Sequence, residues 1–410
     1  MDLLLKNIGL LATPIGTAAQ KGAQQKDIKL SKDIVIGVKN GLISYVGKDS
    51  AELEATEQLD CGGMLVTPGL VDTHTHLVFG GWRQHEFGLK LSGVSYLDIL
   101  RQGGGILSTV DSTRAEPEDK LIQKGRLLLQ EMLTHGTTTV ECKSGYGLDL
   151  ENERKQLKVA AILNKTEPVD IVSTFMGAHA IPREYTNDRT AYISKLCAEI
   201  LPAIADEGLA EYCDIFCETA VFTIEESKEI LNTARQLGFK LKAHVDEIDP
   251  IGGAEMAAQL NCRSAEHLIA ASDKGITALA EHEVVAVLLP ATSFYLGKNY
   301  ARARKMIDEG VAVAVATDFN PGSSPNLNMQ IPMNLACLYM RLSPAEVLTA
   351  VTLNAAAAID RANAIGSVEA GKKADLVIWN TADLEMLFYR YGSNQVNTVI
   401  KNGNVIKINH

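Results

Sequence analysis

The sequence is short of positive charge, and this shortage excludes several kinds of partner. Lysine and arginine together number 39 against 50 aspartates and glutamates, so the formal net charge is -11 at pH 7. A protein that binds nucleic acid or an anionic membrane surface needs a basic stripe or patch. We therefore expect neither nucleic acid nor a membrane as a partner. An anionic small molecule would need cations placed locally around it.

Cysteine is also scarce, and long apolar runs are missing. The seven cysteines are an odd number and are scattered without a paired framework, which is typical of a reduced cytosolic protein. The first residues lack the basic region and apolar run of a signal peptide, and no apolar run reaches membrane-spanning length. The expected location is the cytoplasm.

What is present is the composition of a globular enzyme. Of the 410 residues, 46% are hydrophobic and 22% are charged, far from the range of disordered chains. This length can form one large domain with an appendage, or two or three ordinary domains.

Both ends of the chain are rich in short strands. Strands are predicted at 3–11, 34–38 and 42–46, the last two joined by a hairpin turn at Asn40-Gly41. The C-terminal end repeats this pattern, with a strand at 375–379 and a hairpin around Asn402-Gly403. We expect the two ends to form one small sheet domain that is split in sequence. The alternative is two independent hairpins that decorate the core.

The middle of the chain alternates strands with helices. Helical patterns separate most of eight apolar runs, and eight such units over about 250 residues are the size of a (β/α)8 barrel. The eight predicted strands lie at 70–77, 137–143, 170–179, 213–218, 240–246, 264–268, 284–290 and 311–318. Side chains capable of chemistry fall at or just beyond the ends of these runs, where barrel enzymes build their sites. They are His74, His76, Lys143, Tyr146, His179, Glu218, His244, Glu247, His267 and Asp318.

A candidate metal site begins at His74 and His76, within the run PGLVDTHTHL at 68–77. Residues two apart on a strand share a face, so both imidazoles can project together. Alone, such a pair is as often a core or surface feature. His244 and Asp318 complete a set of three nitrogens and one oxygen, which suits a divalent transition metal with an open position for water. Zinc and iron(II) both fit this set.

Two further residues are candidates for acid-base chemistry. Glu247 follows His244 by three residues and would lie near the metal as a proton shuttle. Taken alone, it would be a solvated loop carboxylate. His267 could polarise a substrate carbonyl or orient the water, although an isolated histidine is more often structural.

These features together resemble the amidohydrolase superfamily over nearly the whole chain. The resemblance implies a (β/α)8 barrel at 67–364 and a β-sandwich domain built from 1–66 plus 365–410. Five loop motifs narrow it to one ring-opening branch: FGGWRQHEF at 79–87, GGGILSTV at 103–110, KSGYG at 143–147, TFMGAHA at 174–180 and ATDFNPGSSP at 316–325. That branch implies metal-dependent hydrolysis of a cyclic amide in histidine degradation, from 4-imidazolone-5-propionate to N-formimidoyl-L-glutamate.

Position by position, the resemblance implies the roles of individual residues. It implies one divalent metal ion, zinc or iron, held by His74, His76, His244 and Asp318. It implies substrate contacts from Arg83, Tyr146, His179, Asn320, Gly322 and Ser323. Glu247 or Asp318 would take the first proton, His267 would stabilise the developing oxyanion, and the protein would be a homodimer. A propionate carboxylate needs a cation, and the guanidinium of Arg83 offers it two parallel donors.

Two other functions stay open on the sequence. His244, Glu247, His267 and Asp318 also resemble the arrangement of a mononuclear deaminase of the same superfamily, which acts on a nucleobase-like ring. A catalytically silent assembly protein derived from a hydrolase is the other alternative.

Overall fold

The computed structural model describes residues 1–94 and 104–408 of the chain. Gly103 of the second loop motif, and residues 409 and 410 of the predicted sandwich domain, lie outside the described residues.

Seven strands precede the barrel and three follow it. The first seven are β1 (Leu3–Lys6), β2 (Leu10–Thr13), β3 (Lys29–Ser31), β4 (Val35–Lys39), β5 (Leu42–Gly47), β6 (Glu57–Asp60) and β7 (Leu65–Pro68). The barrel strands are β8 (Leu70–Asp72), β9 (Thr137–Lys143), β10 (Asp170–Ala178), β11 (Tyr212–Cys217), β12 (Lys240–Val245), β13 (Ser264–His267), β14 (Val285–Leu288) and β15 (Val313–Val315). The last three are β16 (Leu376–Trp379), β17 (Val396–Lys401) and β18 (Asn404–Lys407).

The terminal strands form two sheets that share one core. One sheet has the order β5-β4-β1-β6, and the other has the order β18-β17-β16-β7-β2-β3. Leu5 and Ile36 of the first sheet lie in one buried cluster with Val66, Leu376 and Ile400 of the second. A β-sandwich made from both ends of the chain is therefore confirmed. The domain boundaries at 66 and 365 stay a prediction.

Both predicted hairpins are confirmed. β4 pairs with β5, and β17 pairs with β18, each antiparallel pair across an Asn-Gly turn. A two-residue turn of this type needs positive φ at both central positions, which asparagine and glycine tolerate best. Asn40 and Gly41 have φ of 54° and 75°, and Asn402 and Gly403 have 49° and 79°.

The predicted strand at 3–11 is wrong, because the chain breaks there into β1 and β2. Asn7 has a φ of 54°, which no strand residue adopts, and its side-chain amide donates to Asp60 Oδ1 at 2.8 Å. The break sends β1 and β2 into different sheets.

The barrel prediction is confirmed: eight parallel strands form one sheet in sequence order from β8 to β15. Its first and last strands are shorter than predicted. Asp72 accepts hydrogen bonds from the backbone N–H of Thr317 at 3.0 Å and from its hydroxyl at 2.6 Å, so a side chain replaces the strand ladder there. Backbone pairing resumes beyond these residues, where Thr75 forms a parallel bridge with Phe319. This bridge joins the two ends of the sheet and closes the barrel.

Helices connect most of the barrel strands. They are α1 (Phe87–Leu91), α2 (Ile106–Ala115), α3 (Glu118–Thr134), α4 (Leu150–Thr166), α5 (Arg189–Lys195), α6 (Leu201–Asp206), α7 (Ile224–Gln236), α8 (Gly253–Gln259), α9 (Asp273–Glu281), α10 (Pro290–Leu296), α11 (Ala303–Asp308), α12 (Gln330–Met340), α13 (Pro344–Ala350), α14 (Leu353–Ala358) and α15 (Leu384–Tyr389). A single π-helical turn, Leu196–Ile200, joins α5 to α6. Within residues 1–94 and 104–408, none of the helices combines the length and apolar character needed to cross a bilayer.

Candidate metal and substrate site

The C-terminal ends of the barrel strands bring four buried histidines and a carboxylate together. Oδ1 of Asp318 lies 3.4 Å from Nε2 of His74 and 3.8 Å from Nε2 of His76. Two ligand atoms bound tetrahedrally to one zinc ion are roughly 3.4 Å apart. The spacing of these three side chains therefore fits a shared metal ion.

His74 links this group to the two other imidazoles. The rings of His74 and His244 are 4.5 Å apart between centroids, and nitrogens of His74, His244 and His267 all lie within 4.8 Å of one another. The four predicted ligands thus form one cluster, in which His267 also stands within ligand distance of His74 and His244.

Three residues that the sequence did not single out hold the outer atoms of these ligands. Asp214 Oδ1 lies 3.1 Å from Nδ1 of His244, and Glu266 is paired with Nδ1 of His74. The hydroxyl of Thr292 donates to Oδ2 of Asp318 at 2.6 Å. A carboxylate on one ring nitrogen fixes the tautomer and turns the other nitrogen toward a metal.

The donor atoms of the cluster fit a metal ion. Nε2 of His244 is buried and has no hydrogen-bond partner among the residues that the structure describes, which is costly for a polar atom unless something else binds it. Burial alone would lower the pKa of His74, but the carboxylate of Glu266 raises it to about 9. The surroundings of His74 therefore favour positive charge at that ring. The imidazole and carboxylate donors of the cluster are those that zinc and iron accept.

His267 and Glu247 lie side by side at the edge of the cluster. Nε2 of His267 is 3.7 Å from Oε2 of Glu247. Burial, together with the carboxylates of Asp318 and Glu218, raises the pKa of Glu247 to about 8. Burial lowers the pKa of His267 to about 3, so its imidazole is neutral at physiological pH. The carboxyl group of Glu247, which can hold a proton, therefore lies beside the neutral imidazole of His267.

The backbone is strained at two residues of this cluster. His267 and Asp318 both have positive φ, at 70° and 53°, a conformation that costs free energy in residues with a Cβ. Such strain is kept where a side chain must point in one particular direction.

Arg83 is buried beside the loop that follows Asp318. Among residues 1–94 and 104–408, its Nε and Nη1 atoms find no hydrogen-bond partner, and Oε2 of Glu86 lies 3.8 Å from Nε. The guanidinium lies against Gly322, where an added Cβ would be 1.1 Å from Nη2. Lys90 donates to the carbonyl of Gly322 at 2.8 Å. Two cations therefore lie at this loop of an acidic protein, and one of them has donors that no described residue uses.

Tyr146, His179 and His76 form an aromatic group. The rings of His76 and His179 stack with centroids 5.0 Å apart and planes at 14°, and Tyr146 lies 5.3 Å from His179. Nδ1 of His179 is 3.0 Å from the carbonyl of Gly145, which can only accept, so Nδ1 carries the proton. Nε2 of His179 is then an acceptor.

Asn320 shapes the loop at 318–324 rather than projecting from it. Its Oδ1 accepts from the backbone N–H groups of Gly322 at 2.8 Å and Ser323 at 2.7 Å. Its Nδ2 donates to the carbonyl of Asp318 at 2.7 Å. Direct substrate contacts from these residues stay a prediction.

The chain matches a family model and curated relatives over nearly its whole length. Residues 65–406 match the model of the amidohydrolase family. The imidazolonepropionase of Bacillus velezensis is 52% identical over 409 residues, which cover 99% of this chain and 97% of the relative. That of Bacillus cytotoxicus is also 52% identical and covers 99% of this chain and 96% of the relative.

Two solved structures share the fold at lower sequence identity. An adenosine deaminase from Xanthomonas campestris with bound zinc superposes with a TM-score of 0.72 at 22% identity, covering 98% of this chain and 92% of that chain. The guanine deaminase of E. coli gives a TM-score of 0.74 at 15% identity and covers 99% of each chain. The fold is shared with these deaminases, while the high identity lies with the relatives above. The chain belongs to the amidohydrolase family and, within it, to the imidazolonepropionases.

Proposed function

We propose that this protein hydrolyses 4-imidazolone-5-propionate to N-formimidoyl-L-glutamate and needs a divalent metal ion to do so. The observation that carries the proposal is the 52% identity to an imidazolonepropionase over 99% of the chain, loops included. The buried histidine and carboxylate cluster at the ends of the barrel strands supports it.

We assign the metal to His74, His76, His244 and Asp318. The ion, zinc or iron, supplies a Lewis acid that makes water acidic enough to act as a nucleophile near neutral pH. The spacing of Asp318 Oδ1 from the two nearest imidazole nitrogens, 3.4 and 3.8 Å, supports this assignment. One ion for each chain is the expected load.

Glu247 and His267 act on the ring from the same side. Glu247 is partly exposed, with 18% of its side chain accessible, so it can exchange protons with substrate and solvent. A pKa raised to about 8 by burial and by Asp318 and Glu218 lets it hold a proton and later deliver it to the departing ring nitrogen. Asp318 is the alternative acceptor for the first proton. His267, neutral and adjacent, stabilises the oxygen on which negative charge develops.

Arg83 binds the propionate carboxylate. Its Nε and Nη1 donors are buried and have no partner within the described part of the chain, which supports this role, because a carboxylate accepts two parallel bonds from one guanidinium. Beside His76, the substrate ring contacts Tyr146 and His179. The loop packed against Arg83 contributes the remaining contacts, from Asn320, Gly322 and Ser323.

The test is direct. Purified protein loaded with zinc or with iron(II) is mixed with freshly prepared 4-imidazolone-5-propionate, and the loss of ring absorbance is followed. Metal-dependent loss with formation of N-formimidoyl-L-glutamate supports the proposal. Ammonia release from a nucleobase, without any need for a carboxylate, would instead favour the deaminase. Fewer than about 0.1 metal ions for each chain and no turnover would favour a silent assembly protein.

We further propose a homodimer in the cytoplasm with no nucleic-acid partner. All seven cysteines are free, which supports a reducing compartment. On α12, Leu338 and Tyr339 are 65% and 57% exposed, and Tyr339 stacks on Tyr300, so this apolar surface is a candidate dimer contact. Sedimentation equilibrium of the parent and of Tyr339→Glu tests it, because a charge at the contact should shift the mass toward one chain.

A further inference from the structure

Five charged side chains are fully buried inside the barrel, next to the metal cluster. They come from the barrel strands β9, β11, β12 and β13 and comprise three carboxylates and two ammonium groups, which we name the barrel ion cluster: Glu141, Lys143, Asp214, Lys242 and Glu266. Buried ion groups of this kind are a weak source of stability, since well-packed apolar side chains often do as well. Their placement therefore calls for another reason.

The cluster touches the metal ligands at two points. Oδ1 of Asp214 lies 3.1 Å from Nδ1 of His244, and Oε2 of Glu266 is paired with Nδ1 of His74. Each carboxylate thereby holds one imidazole by its outer nitrogen. The inner Nε2 atoms are left for the metal ion.

Lys143 joins those two carboxylates. Its Nζ lies 2.7 Å from Oδ2 of Asp214, 3.0 Å from Oε2 of Glu266 and 2.9 Å from Oε1 of Glu141. An ammonium group has three protons, so these contacts use all of its donors. Burial would lower the pKa of Lys143, but these three carboxylates raise it well above the usual value and keep the group charged.

We propose that Lys143 is a positioning residue for the metal: by fixing Asp214 and Glu266 together, it sets the orientation of His244 and His74 and so the affinity of the site. The proposal rests on the ligand set of the proposed function. It adds a residue that touches neither the ion nor the substrate.

Lys242 provides a matched control from the same cluster. It is equally buried, and its Nζ lies 2.7 Å from Oε2 of Glu141 and 3.2 Å from Oε1 of Glu266. Across 1–94 and 104–408, Lys242 makes no ion pair with Asp214, and it holds the oxygen of Glu266 that faces away from His74. Removing either lysine costs the cluster one positive charge. Of the two, only Lys143 contacts both Asp214 and Glu266, the carboxylates that hold His244 and His74.

The experiment compares Lys143→Met with Lys242→Met, because methionine is unbranched, of similar length and uncharged. Metal-free protein is titrated with zinc against a chelating dye, and the absorption spectrum of the cobalt-loaded protein reports ligand geometry. We expect Lys143→Met to bind zinc about 10- to 100-fold more weakly and to change the cobalt spectrum. Lys242→Met should stay within about threefold of the parent, with an unchanged spectrum. Circular dichroism establishes that each variant is folded.

Equal weakening in the two variants, or unchanged affinity in folded Lys143→Met, would overturn the inference. If Lys143→Met does not fold, Lys143→Gln replaces it with the same expectation. Failure of both to fold, while Lys242→Met folds, would make Lys143 a folding residue and reject the proposal. Parent protein that binds no zinc or cobalt would overturn the metal site itself. Parent binding that is lost in His244→Ala but kept in Lys143→Met would overturn only the role of Lys143.

Discussion

The hydroxyl of Thr292 donates a 2.6 Å hydrogen bond to Oδ2 of Asp318, while Oδ1 of the same carboxylate faces His74 and His76. This bond fixes the rotation of the carboxylate that we assign to the metal. Thr292→Val keeps the branched shape and removes the hydroxyl. We expect zinc affinity to fall about tenfold, measured by competition with a chelating dye.

Thr349→Val is the matched control, because the hydroxyl of Thr349 is also buried but, within residues 1–94 and 104–408, has no hydrogen-bond partner. It should bind zinc like the parent. Unchanged affinity in Thr292→Val would show that the carboxylate needs no such support.

Arg83→Ala should raise KM for 4-imidazolone-5-propionate about 100-fold, since two hydrogen bonds to a charged group are lost. Metal content should not change, because Arg83 belongs to a separate part of the site. Steady-state kinetics and metal analysis measure the two quantities. Arg126→Ala, which removes an exposed arginine paired with Glu167, is the control. Loss of metal along with affinity would mean that Arg83 has a structural role.

Gly322→Ala should also raise KM, by about tenfold, because the new methyl group would displace the guanidinium of Arg83. Gly88→Ala is a suitable control, since a Cβ at Gly88 meets nothing within 4 Å. Titration with the substrate under identical conditions compares the two variants. A normal KM in Gly322→Ala would show that Arg83 can bind the carboxylate from another position.

His267→Asn should lower kcat at least about 100-fold while the metal stays bound. We assign the neutral ring beside Glu247 to the substrate, and we assign the ion to four other residues. Metal content and single-turnover rates separate the two effects. His282→Asn, at an exposed histidine paired with Asn261, should change neither. Departure of the metal from His267→Asn would make His267 a ligand, as its distance from His74 and His244 allows.

Glu247 should make the stability of the metal-free protein depend on pH. Burial, Asp318 and Glu218 raise its pKa from 4.5 to about 8, so the folded state keeps a proton that the unfolded chain loses. The stability contribution of this group therefore falls as pH rises from about 4.5 toward 8. Glu247→Gln carries no such proton and should melt higher than the parent at pH 8, with little difference near pH 4.5.

Thermal unfolding of both metal-free proteins across this range provides the measurement. Glu229→Gln, at an exposed position of α7, should follow the parent at every pH. A difference in melting temperature between Glu247→Gln and the parent that stays constant with pH would contradict the predicted pH dependence.

The barrel could be predicted from the sequence because each strand is a short apolar run with polar side chains at its end. The hairpins could also be predicted, since the Asn-Gly pair strongly favours the two-residue turn that joins antiparallel strands. Strand lengths at β8 and β15 were not, because they depend on a carboxylate, Asp72, that reaches across to Thr317. A side-chain hydrogen bond that takes the place of backbone pairing between strands leaves no periodic pattern in the sequence.

The residues that cluster at the candidate metal site could be predicted, but the side chains that support them could not. Asp214 and Glu266 lie within apolar strands and look there like isolated exceptions. One signal was available: Glu141 with Lys143, and Lys242 with His244, stand two apart and so share one face of a strand. If this face is assigned to the barrel interior, the pattern predicts buried charges inside the barrel. Which charge meets which ligand depends on the register between neighbouring strands.

The pairing of β7 with β16 has a consequence for the order in which the molecule is made. β7 pairs with β2 and continues through Gly69 into the first barrel strand, yet its other neighbour, β16, begins only at Leu376. The N-terminal strands leave the ribosome first but cannot complete their sheet until almost the whole chain has been synthesised. A barrel that assembles during synthesis does so while one edge of β7 is open, and an open strand edge exposes the nascent chain to mispairing and chaperone binding.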